Sequence, residues 1–151
     1  MRKIGVLFLL TVLTGRLYAQ QTTTDSVKQT VNTMFAAMLK GDSALMRSTF
    51  DKSMILQGIA DDKTGKTTLT TDNVNDFLKV IGTPHTQVYD ERIVFDAIKV
   101  DGNLAVVWAP YQFYFGDKFH HCGVDVFHLM RTPSGWKIIY IVDTRRKDKC
   151  V

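Results

Sequence analysis

Apolar positions in the first half of the chain recur at helical spacing. One stripe between residues 27 and 39 consists of Val27, Val31, Met34, Phe35, Met38 and Leu39. A second stripe, from about residue 72 to Gly82, predicts another helix, and polar residues after Gly41 can cap a short one between them. One strand, at residues 53–60, and a polar loop, at residues 61–70, separate the last two helices.

Beyond residue 90 the apolar positions alternate as in β-strands. "ERIVFDAIKV" and "LAVVWAPYQFYF" flank Asp101–Gly102–Asn103, a hairpin signal. Gly116–Asp117 then leads into "KFHHCGVDVFHLM", which joins "WKIIYIVDTRR" through "RTPSG". Helices followed by an antiparallel meander predict an α+β domain with helices on one face of the sheet.

The first nineteen residues have the composition of an export signal. Arg2 and Lys3 precede an apolar run, residues 4–13, and Ala19 is a small residue at a cleavage position. The run is shorter than the roughly 20 apolar residues that span a bilayer. We expect a signal peptide at residues 1–19 and a mature protein, periplasmic or extracellular, without a membrane span. A buried N-terminal helix is the alternative.

The net charge limits the classes of molecule that the protein is expected to bind, and the two cysteines raise the question of a disulfide. The net charge is +4, but the predicted signal holds three basic residues and no acidic one, which leaves the mature chain at +1. Nucleic acid is therefore not an expected partner. In an oxidising compartment Cys122 and Cys150 can form a disulfide. Alternatively Cys122 is a small buried residue and Cys150 lies on a mobile tail.

Three histidines, a cysteine and an aspartate crowd together at residues 118–130. Because side chains alternate along a strand, His121 and Asp125 share one face, and His120 and His128 share the other. Ligands on one strand face are two residues apart, so we predict no metal site here. The chain contains no phosphate loop, dinucleotide fingerprint or nucleophile elbow, and we expect no cofactor.

A two-residue turn at Gly116–Asp117 would set the register of the next two strands. It would place His121 opposite Gln112 and Asp125 opposite Trp108, so that all four side chains share one face. If the sheet bends there, this face lines a pocket. His121 is then either a hydrogen-bonded structural residue or a proton carrier of the pocket.

The last strand adds Asp143 and Arg145, which share a face. A five-residue loop, residues 131–135, puts both on the Asp125 face, whereas a four-residue loop, residues 132–135, reverses the parity. Pairing with Arg145 would make Asp125 structural. An unpaired carboxyl in a cavity would instead have a raised pKa and could act as a base.

The opposite face of the two central strands is nearly all apolar. It comprises Ala105, Val107, Ala109, Tyr111, Phe113, Cys122, Val124 and Val126. If the helices cover the other face, this one would be exposed in a monomer. We expect a homodimer packed sheet to sheet. Coverage by the C-terminal tail is the alternative.

The order of elements resembles the nuclear transport factor 2-like (SnoaL-like) superfamily with its cystatin-like cone fold. "WAPYQFYF", "GIADDKTGKTTLTTDNVNDFLKVIG" and "FHHCGVDVFHLMRTPSGWKIIYIVDTRRK" are similar to its putative lumazine-binding subgroup, over residues 24–147, which leaves residues 148–151 as a tail. The resemblance implies a cone-shaped, curved antiparallel sheet with three N-terminal helices on its concave face. It also implies homodimers and favours the register with Asp143 and Arg145 in the pocket.

The resemblance implies a pocket more specifically than an activity. We expect an exported protein that binds a small, partly aromatic molecule, pteridine-like or otherwise. The predicted ligand contacts are Trp108, Gln112, His121, Asp125, Asp143 and Arg145. One alternative is an enzyme of isomerase or hydrolase type with Asp125 or His121 as general base. Another is a structural module whose cavity is filled by its own side chains.

Overall fold

A computed structural model describes the backbone of residues 4–150 and the side chains of residues 22–150. The elements are α1 (Ile4–Lys40), α2 (Ser43–Thr49), β1 (Phe50–Asp61), β2 (Thr67–Asp72), α3 (Val74–Gly82), β3 (Tyr89–Ile93), β4 (Ala97–Asp101), β5 (Leu104–Phe115), β6 (Lys118–Thr132) and β7 (Gly135–Arg145). The strands form one sheet in the order β2-β1-β7-β6-β5-β3, and β4 also pairs with β5. The fold is therefore α+β, as predicted.

The side chains of the predicted signal peptide, residues 1–19, lie outside this description. Residues 1–3 are outside the described range, and of residues 4–19 only the backbone belongs to it. The signal peptide therefore stays a prediction. Within the described residues, no helix has an apolar stretch long enough to cross a membrane.

The helix boundaries follow local chemistry that the sequence contains. Gly41 ends α1 with a φ of +67°, a conformation that favours glycine. The Asp42 carboxylate then caps α2 by accepting a hydrogen bond from the Leu45 amide at 2.8 Å. Asn73 caps α3 in the same way, through the amides of Asn75 and Asp76.

The sheet departs from the predicted antiparallel meander in three respects. It is mixed, because β1 runs parallel to β7. The predicted polar loop at residues 61–70 is partly wrong, because β2 begins at Thr67 and pairs with β1. The "ERIVFDAIKV" segment forms two strands, β3 and β4, which both pair with the long strand β5.

The helices pack against one face of the sheet. Val27, Val31 and Met34 of α1 belong to the same buried core as Val107 of β5 and Phe127 of β6. These side chains are 5% exposed or less, so the helix-covered face, hereafter the inner face, faces the core. The other side of the sheet is called the outer face. That the inner face is concave remains a prediction.

A disulfide joins Cys122 on β6 to Cys150 in the C-terminal segment, with Cα atoms 5.7 Å apart. The backbones of Cys122 and Arg146 also exchange two hydrogen bonds of 2.9 Å. Of the two predicted alternatives for the cysteines, the paired one holds. The bond fixes the residues after β7 against the neighbouring strand.

Candidate functional site

The β5–β6 hairpin begins as the sequence predicts and then changes register. Its turn pairs Phe115 with Lys118, but after one more pair Phe113 faces His121, and His120 is left over. An extra residue in one strand is a β-bulge, which reverses the alternation of side chains beyond it.

The predicted grouping of Trp108 and Gln112 with His121 and Asp125 is therefore wrong. Asp125 lies opposite Ala109, one residue from its expected partner, and Gln112 is displaced in the same way. Trp108 is 47% exposed on the outer face, and neither it nor Gln112 lines the cavity described below. His121 and Asp125 remain on the inner face.

The same shift exchanges the predicted faces of β5. Val107, Ala109 and Tyr111, expected on the outer face, are buried on the inner one. Val124 and Val126 of β6 lie on the outer face as expected. The apolar outer surface therefore has different members from those predicted.

A second bulge brings the last strand into phase. Next to the turn, the pairing of Thr132 with Gly135 is that of the shorter predicted loop, which would turn Asp143 outwards. Between His128 and Leu129 the register shifts again, and Asp143 then lies opposite Asp125. Asp143 and Arg145 thus reach the inner face by a bulge instead of by a longer loop.

A cavity of about 330 Å³ lies between α1, α3 and the inner face. Its wall is mostly apolar, with several aromatic rings, and its polar groups come mainly from the strands. The lining residues are Met34, Phe35, Met38, Leu56, Asp72, Phe77, Val80, Ile81, Tyr89, Glu91, Phe113, His120, His121, Asp125, Phe127, Ile141, Asp143 and Arg145. A volume of this size accommodates a small organic molecule.

Two carboxyl groups, of Glu91 and Asp125, meet in this cavity. Asp125 is 4% exposed, and Glu91 lies within hydrogen-bond reach of it. Burial raises the pKa of Asp125 well above its usual range, and the Glu91 charge raises it further. Burial also raises the pKa of Glu91 to about 7, although the hydrogen bond to Asp125 acts to lower it. The pair therefore holds a proton near neutral pH, since two adjacent buried carboxyls resist double ionisation.

Asp143 belongs to a separate ion pair. Arg145 Nε donates to its Oδ2 at 2.7 Å, so of the two alternatives for Asp125 the pairing with Arg145 is not the one formed. The Tyr111 hydroxyl donates to the Thr144 carbonyl at 2.9 Å and lies 3.3 Å from Asp143 Oδ2. Burial and the neighbouring carboxylates raise the pKa of Tyr111, which keeps this hydroxyl a neutral donor.

One oxygen of each inner-face aspartate accepts no hydrogen bond within the described residues. These atoms are Asp125 Oδ2 and Asp143 Oδ1, both buried. Gly58 leaves the space for the second, because a Cβ there would lie 2.9 Å from Asp143 Oδ1. A buried acceptor without a donor is costly, so a ligand donor at Asp125 would stabilise the site.

His121 lines the same cavity as a neutral ring. It contacts Tyr111 edge to face, with centroids 5.5 Å apart, and its Nδ1 lies 2.8 Å from Nδ1 of His120. Burial lowers the pKa of His121 to about 4, and the Arg145 charge acts in the same direction. A proton at this site near neutral pH is therefore held by the acid pair and not by His121.

Sequence reasoning missed Glu91 and Tyr111. Glu91 shares one face of the short strand β3 with Tyr89 and Ile93. An acidic residue among the apolar residues of that face was the available signal. Tyr111 was placed on the wrong face by the His120 bulge. Within the part of the chain that the structure describes, no group of three His, Cys, Asp or Glu side chains is arranged to hold a metal ion.

The fold is that of the nuclear transport factor 2-like, cystatin-like class of small α+β proteins. The family model described as putative lumazine-binding matches residues 22–142, and the chain belongs to that family. No curated protein matches the chain at a significant level.

Solved structures agree with this class at low sequence identity. A cystatin-like protein from Novosphingobium aromaticivorans has a TM-score of 0.69 at 12% identity, covering 93% of this chain and 92% of that one. A protein of unknown function from Shewanella baltica has a TM-score of 0.63 at 18% identity, covering 87% and 98%. One described as a putative dehydratase, from Streptomyces avermitilis, has a TM-score of 0.62 at 15% identity, covering 83% and 97%. At such identities the likeness concerns the fold alone.

Proposed function

We propose that the protein is an exported small-molecule-binding protein whose ligand occupies the cavity beneath the helices, in a cone-shaped sheet with the helices on its concave side. The observation that carries this proposal is the buried Asp125 carboxyl, which lines the cavity with one oxygen lacking a hydrogen-bond donor. Structural carboxylates are normally paired. An acceptor left over in an apolar cavity is what a ligand donor would satisfy.

The lining supports a flat, partly aromatic ligand. Phe35, Phe77, Phe113 and Phe127 provide apolar contact area around a polar end formed by Asp125 and its neighbours. A pteridine-like heterocycle, as the family description suggests, has a flat body and N–H groups along its edge. Such groups can donate to Asp125, while Arg145 can donate to a ring carbonyl.

The binding site has a direct test in Asp125→Asn. The panel would begin with lumazine and include other flat heterocycles, with affinity measured by titration calorimetry. For any panel member that binds, Asp125→Asn is expected to weaken the affinity about tenfold, roughly 1.4 kcal/mol, because the amide replaces one acceptor by a donor. Trp108→Phe, on the outer face, serves as the control and should leave the affinity unchanged. Equal affinities for Asp125→Asn and wild type would contradict the proposed site.

The alternative is an enzyme of isomerase, hydrolase or dehydratase type. It is favoured by the raised pKa values of Asp125 and Glu91, because a carboxyl that holds its proton near pH 7 suits general acid–base catalysis. The fold relative described as a putative dehydratase points the same way. In that case Asp125→Asn would abolish turnover of a compound that the protein still binds.

The outer face supports the further proposal of a homodimer. Ile55, Leu104, Trp108 and Met130 are 37–48% exposed on this one sheet surface, and Leu104 and Met130 are direct partners across β5 and β6. An apolar sheet surface of this kind is typical of an interface between copies.

The dimer proposal predicts that Trp108→Glu weakens self-association at least about tenfold, because a charge would have to be buried in the interface. Sedimentation equilibrium measures the dissociation constant. Leu39→Glu is the matched control, since Leu39 is 47% exposed and lies on α1, away from the outer face. A monomeric wild-type protein, or identical behaviour of the two variants, would refute the interface.

A further inference from the structure

The cavity has an excess of negative charge. Four carboxyl groups line it, those of Asp72, Glu91, Asp125 and Asp143, against the single guanidinium of Arg145. Arg145 is engaged by Asp143, so its charge is already balanced. With one proton shared between Glu91 and Asp125, the remaining carboxylates still outnumber the cations, and an anionic ligand would be repelled.

The apolar part of the cavity is aromatic where it adjoins the acids. Phe113 lies directly opposite Glu91 across β3 and β5, and Tyr89 and Phe127 line the same cavity. The faces of aromatic rings carry negative electrostatic potential and attract cations. Rings and carboxylates together therefore favour positive charge on the ligand.

One acid is positioned to receive that charge. Asp125 is 4% exposed, lines the cavity, and has one oxygen without a hydrogen-bond donor. Asp143 has Arg145 as its counter-ion, whereas Asp125 has no cationic partner of its own among the described residues. A charged nitrogen with N–H groups would supply both the missing donor and the missing charge.

We propose that the ligand of this cavity is a cation, namely a protonated amine or amidinium on a flat apolar body, with its nitrogen donating to the unpartnered oxygen of Asp125, next to Glu91 and Phe113. This inference rests on the proposed function and specifies the ligand class of the same site. The body of the ligand lies among the phenylalanines, and Arg145 remains paired with Asp143. Anionic and neutral molecules of the same shape are discriminated against.

The test is a charge series on one indole body, measured by titration calorimetry at pH 7. Tryptamine is cationic, tryptophol is neutral and indoleacetate is anionic. Tryptamine is expected to bind at least about tenfold more tightly than tryptophol, and indoleacetate more weakly than both. The double variant Glu91→Gln with Asp125→Asn keeps the side-chain sizes and should remove the preference for tryptamine. Asp90→Asn, which alters an exposed ion pair with Arg92, is the control and should preserve it.

The outcomes separate this inference from the function on which it rests. Tighter binding of tryptophol or indoleacetate than of tryptamine, abolished by the double variant, would keep the cavity as the ligand site and overturn the cationic ligand. A preference for tryptamine that survives the double variant would also overturn the inference, since residues other than Glu91 and Asp125 would then recognise the positive charge. Failure of all three indoles at millimolar concentration, while lumazine binds with the expected dependence on Asp125, would overturn the inference and leave the proposed function standing.

Discussion

Replacing Gly123 by alanine is expected to lower the free energy of unfolding by about 3 kcal/mol, the upper range for forcing a methyl group into a packed interior. A Cβ at this position would lie 1.7 Å from the Thr144 carbonyl oxygen and 2.8 Å from Cε1 of Tyr111. Neither neighbour can move freely, because the Tyr111 hydroxyl is itself hydrogen-bonded to that carbonyl. The substitution must therefore separate β6 from β7 or expel Tyr111.

Urea unfolding of Gly123→Ala measures the effect, with Gly65→Ala as the matched control. Gly65 has a φ of +81° and no atom within 4 Å of a built Cβ, so alanine there suffers only backbone strain, about 1 kcal/mol. If the two variants lost the same stability, the close approach at Gly123 would not be real. A structural role for Gly123 also bears on the site, because Tyr111 crosses this glycine to reach Asp143.

The second large effect is a loss of stability as the pH rises, caused by the Glu91–Asp125 pair. Glu91 has its pKa raised from 4.5 to about 7 on folding, so the folded state holds a proton that the unfolded chain has released. Stability from such a group is complete below the unfolded pKa and is lost as the pH rises through the folded pKa. At about 1.4 kcal/mol per pKa unit, the free energy of unfolding falls by about 3 kcal/mol as the pH rises from below 4.5 to above 7.

The comparison with the double variant Glu91→Gln, Asp125→Asn isolates this contribution. His121 has the opposite sign, because its pKa is lowered to about 4 and its share of stability is lost as the pH falls below 6.5. Since both proteins contain His121, its effect cancels in the difference. Wild type should lose stability relative to the double variant as the pH rises. A pH-independent difference in denaturant unfolding would mean that the pair is not protonated in the folded state.

Most of the fold could be predicted from the sequence because it depends on local signals that add up over many residues. The helical stripe at residues 27–39, the caps after Gly41 and the turn at Gly116–Asp117 each have a residue-level cause that the structure retains. The parallel pairing of β1 with β7 could not be predicted in the same way, since it joins segments about 85 residues apart.

The site could be predicted only in part, because it depends on which face of the sheet each strand side chain lies on, and one extra residue reverses that assignment. His121 and Asp125 lie on the predicted face, and so do Asp143 and Arg145, as in the register that the resemblance favours, whereas Trp108 and Gln112 do not. A single extra residue, His120, produces the error, and no apolar pattern shows a bulge at the first of two adjacent histidines. The correction changes the chemistry, because the bulge removes an indole from the pocket and brings the Tyr111 hydroxyl to Asp143, one of the residues that line it.

A crystallographic fragment screen tests most directly whether this cavity is the ligand site. The expected result is that bound fragments cluster between α1, α3 and the inner face, with a polar atom within hydrogen-bond distance of Asp125 or Glu91. Crystals in which Phe35 and Phe113 close the cavity, or in which every fragment lies elsewhere on the molecule, would contradict the account.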